Sequence, residues 1–165
     1  MLQIPSMWRT ELWHPLSVHF PIALLTLAAV CGIFYLIFRS RAFAPYLRFT
    51  TSLLLITGTV LFWVAYYTGD HAYEVVIRTI CDPTVLKAHL RWANISAYAF
   101  TTAAVLDIAR RFISSRFTSP ATLIIVVLLI SGTAAISYAG HLGATVVYQQ
   151  AGGVYTPSGD CVEFE

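Results

Sequence analysis

The sequence predicts an all-α integral membrane protein, a four-helix up-down bundle built by tandem repetition of a two-helix unit. Three observations carry that reading. Of 165 residues, 58% are hydrophobic and 11% charged, a balance foreign to water-soluble domains. Four apolar runs, over residues 15–38, 49–69, 90–109 and 120–140, each approach or exceed the roughly 20 residues a helix needs to cross a hydrocarbon core about 30 Å thick. Four of the five histidines share one offset: His19 and His89 lie 70 residues apart, as do His71 and His141. The same shift superposes Leu16 on Leu86, Ala23 on Ala93, Arg41 on Arg111, Ala65 on Ala135 and Val76 on Val146.

The first helix is expected over residues 14–38. Glu11 and Trp13 precede it and Arg39 and Arg41 follow it, the reverse of a signal peptide's charge order, so it stays in the membrane. The second is expected over residues 48–70, followed by a loop at 71–83. Within residues 70–80, Ala72, Val75, Val76 and Ile80 recur near helical spacing, which suggests a short amphipathic helix lying on the membrane surface. The third helix, over residues 84–110, is announced by Asp82-Pro83, an N-cap followed by proline at the first helical position. It carries Lys87, His89 and Arg91 at the interface, and Asn94 within the span is expected to bond a neighbouring helix. Asp107, close to basic residues, is assigned no special role. Ser119-Pro120 starts the fourth helix, over residues 119–141, and residues 142–165 form a tail whose glycines and Pro157 predict irregular structure.

Short loops rich in arginine stay cytoplasmic. Arg39, Arg41 and Arg48 lie between helices one and two, and Arg110, Arg111 and Arg116 between helices three and four. Both termini then face outward, to the periplasm of a bacterial inner membrane. The net charge of +2 gives no indication of nucleic acid as a partner. Cys81 and Cys161 both fall on the outer side, where disulfides persist, and are expected to bridge and tie the tail over the bundle mouth. Cys31, in mid-helix, reads as a packing residue.

All five histidines, His14, His19, His71, His89 and His141, sit near the outer face. A histidine within a membrane span is costly without a partner and marks a functional site by default. Counting to the arginines of the opposite face makes His19 and His89 the deepest and nearly level. In an up-down bundle helices one and three are diagonal, so His19 and His89 are the first choice for an axial haem pair. His71 and His141, diagonal across helices two and four, suit a second haem, a smaller metal ion or contacts above the first haem. Pairing within each repeat is the variant, and Arg91 is placed to meet a propionate or Asp70. Small residues such as Ala93, Ala97, Gly132, Ala139, Gly58 and Gly69 permit a porphyrin between helices, and equally serve close helix packing. Trp8, Trp13, Tyr66, Tyr67, Tyr73, Trp92, Tyr138 and Tyr148 read as interfacial anchors.

Four segments resemble a known family: HPLSVHFPIALL at the start, TGDHAYEVV after helix two, KAHLRWA at helix three and GHLGATVVYQQAGGV at the end. They are similar to small four-helix inner-membrane proteins grouped as domain of unknown function 2231, some of them fused to or neighboured by redox modules. The resemblance covers nearly the whole chain and implies a bacterial membrane protein that binds haem, with histidines at His14, His19, His89 and His141. Family members often carry a histidine-glycine pair where this chain has Gln150-Ala151.

The function expected is that of a b-type cytochrome-like subunit with one or two haems b, passing electrons between the quinone pool and an outer redox partner. As the histidines lie on one side only, the protein would serve as an anchor and relay in a larger complex or homo-oligomer rather than carry electrons across the bilayer alone. Two other classes stand beside it: a histidine-lined copper or iron site, and a cofactor-free anchor or assembly subunit. Imidazole suits copper and iron alike, but with Met1 and Met7 as its only methionines the chain does not resemble a cuprous transporter. No nucleophile-base set, phosphate loop or dinucleotide fingerprint points to independent enzymatic turnover.

Overall fold

The computed structural model describes residues 4–112, 115–157 and 159. A 3₁₀ turn, Thr10–Leu12, leads into α1 (Trp13–Ser17) and α2 (His19–Ile37), followed by α3 (Ala44–Val76), α4 (Pro83–Ala109) and α5 (Ser115–Gln150). The described residues contain no strand. Between α1 and α2 only Val18 falls outside the helices, and its φ and ψ remain helical. Pro21 explains the break: it has no N–H to give to the carbonyl of Ser17, and its ring crowds that carbonyl. Together the turn, α1 and α2 form one of three segments long and apolar enough to cross a membrane, Thr10–Ile37, Ala44–Val76 and Ser119–Gln150. α4, the third of the four expected spans, has the length but is not among these segments, because Lys87, His89, Arg91, Asn94 and Asp107 interrupt it.

Each long helix packs on two others. The contacts of α2 with α3 and of α4 with α5 are the most extensive; α2 also touches α5, and α3 touches α4. The backbones of α2 and α4, and those of α3 and α5, make no close approach, so these are the diagonal pairs among the described residues. The centre is filled by Leu25, Leu55, Phe100, Ile125 and Leu129, all essentially inaccessible. Close approach depends on glycine at two places. A Cβ on Gly58 would lie 2.8 Å from the side chain of Leu25, and one on Gly132 would lie 2.7 Å from the ring of Phe100. Two of the small residues considered as porphyrin entrances thus serve helix packing.

Outward faces are as apolar as the centre. Leu27, Val30 and Phe34 on α2, Leu53, Val60 and Val64 on α3, and Leu123, Ile124, Val127 and Ile130 on α5 are all exposed. In water such a belt would drive association; in a bilayer it is the surface that hydrocarbon covers.

The first and third helices end within a residue of expectation, whereas α3 and α5 both run past their expected ends. Helix α3 continues through Asp70 and His71 to Val76, so the separate surface helix expected over residues 70–80 is absent, and α5 runs from Ser115 to Gln150 with Pro120 inside it, past both predicted ends at 119 and 141. Hydropathy marks where a helix leaves the hydrocarbon. The hydrogen bonds within a helix persist into water, so the helix itself stops only where packing or a cap stops it. At about 1.5 Å per residue, 33 residues of α3 make about 50 Å, well beyond a core of about 30 Å.

Both caps near this end are visible. Asp82 starts α4, its Oδ1 accepting from the Thr84 N–H at 2.9 Å and the Thr84 hydroxyl at 2.6 Å, as Asp82-Pro83 predicts. At the end of α5, the Gly152 N–H donates to the Val146 carbonyl at 2.9 Å while Ala151 takes the left-handed conformation with φ 52°. The Val146 carbonyl is thus satisfied by an N–H six residues on, past an alanine in the left-handed conformation that glycine usually takes. The side chain of Gln150 then accepts from the Asp82 N–H at 2.8 Å, fastening the end of α5 to the start of α4. Beneath this tie, Val76, Leu86 and Val146 form a second, smaller apolar cluster.

Candidate functional site

Two of the five histidines meet. The rings of His14 on α1 and His89 on α4 have centroids 6.1 Å apart and planes at 83°. Each is half-buried, and each is held in the same manner. His14 Nδ1 lies 2.9 Å from the carbonyl oxygen of Ala65 on α3, and His89 Nδ1 lies 2.7 Å from that of Ala139 on α5. A carbonyl oxygen only accepts, so both Nδ1 atoms carry hydrogen and donate. In the neutral ring this leaves Nε2 with its lone pair, the tautomer a metal-ligating histidine adopts when a backbone carbonyl orients it.

The notch that receives each ring is built from an alanine and the glycine four residues later on the same helix face. A Cβ on Gly69 would stand 2.8 Å from the ring of His14, and a Cβ on Gly143 would stand 3.3 Å from that of His89. Glycine at these positions lets an imidazole lie flat enough on the helix to reach the carbonyl one turn earlier. The Ser17 hydroxyl, hydrogen-bonded to Thr68 Oγ1 at 3.0 Å, and Thr68, donating to the Ala65 carbonyl at 2.9 Å, close the His14 notch. Below the pair, the Tyr66 hydroxyl donates to Asn94 Oδ1 at 2.6 Å, which joins α3 to α4 and meets the expectation for Asn94.

The pairing therefore differs from the one expected. His89 faces His14, whereas His19, first choice for its partner, is exposed at the start of α2. Five residues of helix separate His14 from His19, about one and a half turns, which puts them on different faces. His71 and His141 are also exposed, each against a tyrosine of its own helix: Tyr67 with ring centroids at 4.7 Å and Tyr138 at 6.2 Å. Arg91 is exposed and has no ion pair with Asp70 among the described residues. Cys31 is half-buried and Cys81 exposed; Cys161, and with it the expected Cys81–Cys161 bridge, lies outside the described residues. No cluster of three or more His, Cys, Asp or Glu side chains suited to a metal ion occurs among the described residues.

A signal for the true pair was present in the chain. His14 and His89 are 75 residues apart, and Ala65 with Gly69 stands 74 residues before Ala139 with Gly143. The offset of 70 selects His89 together with His19, His71 and His141, and the fold leaves the last three on the surface.

At the opposite end of the helices lies a site that sequence reasoning passed over. Asp107 is wholly buried and pairs with Arg110, itself 5% exposed. Ser52 on α3 donates to Asp107 Oδ1 at 2.9 Å and accepts from Arg110 at 3.1 Å, Thr122 on α5 accepts from Arg110 at 2.8 Å, and Arg111 approaches the second Asp107 oxygen at 3.5 Å. One carboxylate and one guanidinium thus join α3, α4 and α5. The i, i+3 spacing of Asp107 and Arg110 on a helix was the readable signal, obscured because Arg110 counted as a loop residue.

A family model described as a predicted membrane protein, DUF2231, matches residues 12–156. No curated protein and no solved structure matches the chain.

Proposed function

The chain belongs to the DUF2231 family of predicted membrane proteins, and on that premise we propose that it is a membrane electron carrier holding haem b between His14 and His89. The observation that carries this reading is the pair of imidazoles, each tied through Nδ1 to a backbone carbonyl, with both Nε2 atoms left as ligands. Two imidazoles flanking one metal at about 2 Å each have ring centroids about 6 Å apart, close to the separation seen here. Two protein donors would suit the iron of a haem, whereas a structural zinc needs four donors from the chain. The haem supplies reversible one-electron chemistry. The residues of this chain bind and orient it: the Ala65 and Ala139 carbonyls fix the tautomers and ring planes, Gly69 and Gly143 leave room for the rings, and the surrounding apolar helices keep water away.

In this reading the four long helices alternate in direction as a duplicated two-helix unit, with the arginine-bearing ends in the cytoplasm and both termini in the periplasm of a bacterial inner membrane. The site then lies toward one face, which suits a relay between the quinone pool and an outer redox partner rather than a wire across the bilayer.

The test is an oxidised and dithionite-reduced spectrum of the purified protein made with haem supplied, with a pyridine haemochrome assay. One haem b per chain is expected, lost in His14→Ala and in His89→Ala and retained in His19→Ala, His71→Ala and His141→Ala. A featureless spectrum sinks the proposal. Stoichiometric copper or iron without a haem band would mean a bare ion between the histidines, and no metal at all would mean that the pair only joins helices, as in an anchor subunit.

A further inference from the structure

At the end of the molecule far from the histidines, the α2–α3 connection and the end of α4 enclose an open cleft of about 730 Å³. Five arginines line it: Arg39 and Arg41 after α2, Arg48 in the first turns of α3, and Arg110 and Arg111 at the end of α4, with the Ser52 hydroxyl deeper in. Among the described residues none that lines it is a carboxylate. Asp107 beneath the cleft is already committed to Arg110, Arg111 and Ser52, so it offsets one charge of the five.

Topology alone asks for arginines on this side of a membrane protein, but it does not ask that they share one concavity. Like charges gathered in a cleft repel, and an anion held among them turns the repulsion into charge-assisted hydrogen bonds. Arg110 adds a second, independent observation. Its side chain is 4% exposed, it is aligned by Thr122, Ser52 and Asp107, and its Nε has no hydrogen-bond partner among the described residues. Its two terminal nitrogens are taken and its Nε is buried from solvent, so Arg110 gives the base of the cleft a fixed positive charge, while the exposed Arg39, Arg41 and Arg48 bring planar forks that match phosphate oxygens two at a time. The volume fits a ligand of several heavy groups and not merely one small ion, since ligand pockets commonly run to about 300–1,000 Å³.

We propose that this cleft binds a phosphate-bearing anion, held by Arg39, Arg41 and Arg48 at the rim and by Arg110 and Arg111 at the base. The same chemistry is presented by the headgroup of an anionic phospholipid and by a soluble polyphosphate, and the two sources separate by experiment. This assignment is independent of what the histidine pair binds.

The full chain in neutral detergent is titrated in one arm with cardiolipin against phosphatidylcholine, and in the other with sodium pyrophosphate against sodium sulfate. Melting temperature and native mass spectrometry are the readouts. One arm is expected to show saturable one-to-one binding that raises the melting temperature, weakened about tenfold or more in Arg48→Gln and further in R39Q/R41Q/R48Q, all exposed positions that leave the buried Arg110–Asp107 pair intact. Saturation with cardiolipin alone identifies a lipid headgroup, and saturation with pyrophosphate identifies a soluble ligand. If neither arm saturates with the unaltered chain, or if Arg48→Gln binds as tightly as the unaltered chain, the proposal is overturned.

Discussion

The two ends of this molecule solve the problem of polar groups among apolar helices in opposite ways. At the histidine end, two uncharged rings are each matched to one backbone carbonyl, and space is made for them by glycines, so that one nitrogen per ring is left over. At the arginine end, a buried carboxylate and guanidinium pair with each other and with two hydroxyls, so that three helices are joined by one charge pair. The histidine end keeps one ring nitrogen of each histidine unused, as the proposed haem site requires. The Asp107–Arg110 pair holds the helices together.

Breaking the charge pair should have the largest effect on stability. Asp107→Asn leaves a buried guanidinium without its counter-charge, and a loss of about 3–5 kcal/mol is expected, read as a large drop in the melting temperature in detergent. The double variant D107N/R110Q should recover part of that loss, whereas Arg39→Gln, at the exposed rim, should change stability by no more than about 1 kcal/mol.

Next in size is the contrast between the two histidine notches. Gly69→Ala puts a methyl 2.8 Å from the ring of His14, closer than the ring can accommodate without leaving its carbonyl, while Gly143→Ala meets His89 at 3.3 Å, a distance a small shift relieves. Gly69→Ala should therefore cost more, by about 1–3 kcal/mol for a lost buried hydrogen bond, and should disturb any spectrum of a group bound to the pair more than Gly143→Ala does. Equal effects would show that the notches do not position the rings.

Smaller effects sharpen the picture of the tie over the histidine end. Ala151 holds a left-handed conformation at the close of α5, so Ala151→Gly should stabilise the protein by about 1 kcal/mol. Gly152→Ala should do the opposite, since its Cβ would stand 2.6 Å from Val146 Cγ1.

The smallest effect is a pH dependence at the start of α4, the helix that carries His89. Bonds from the Thr84 hydroxyl and N–H hold the Asp82 carboxyl below its ordinary value. A depressed carboxylate stabilises the folded state at pH above its unfolded value, about 3.9, and that contribution is lost as pH falls through the lower folded value. The difference in melting temperature between the unaltered chain and Asp82→Ala should accordingly be present at neutral pH and shrink as pH falls below about 4.

Much of the fold was readable because membrane helices obey two coarse rules, length and hydropathy. The all-helical class and the Asp82-Pro83 start of α4 follow directly. What misled was treating the hydropathy boundary as the helix boundary, which cut α3 at residue 70 and α5 at 141 when both run on as water-exposed helix. The site was half legible. His89 and His14 were both candidates, but histidine spacing alone favoured His19, and only helical phase separates the ring that faces inward from the one a turn and a half later that faces out. Asp107 was assigned no role because a charged residue near a loop is ordinarily solvated, and the buried Asp107–Arg110 pair depends on Ser52 and Thr122 arriving from two other helices.

By itself, then, the sequence determined that the chain is helical, that its outward faces suit lipid and that its histidines gather near one end and its arginines near the other, because these properties depend on residue type and local spacing. Which histidine meets which, and whether an arginine is solvated or buried, was decided by the tertiary structure alone. Those outcomes depend on the rotation of each helix about its axis and on the glycines that let two backbones approach, and a rotation is set by the neighbouring helices, not by the residues of any one of them.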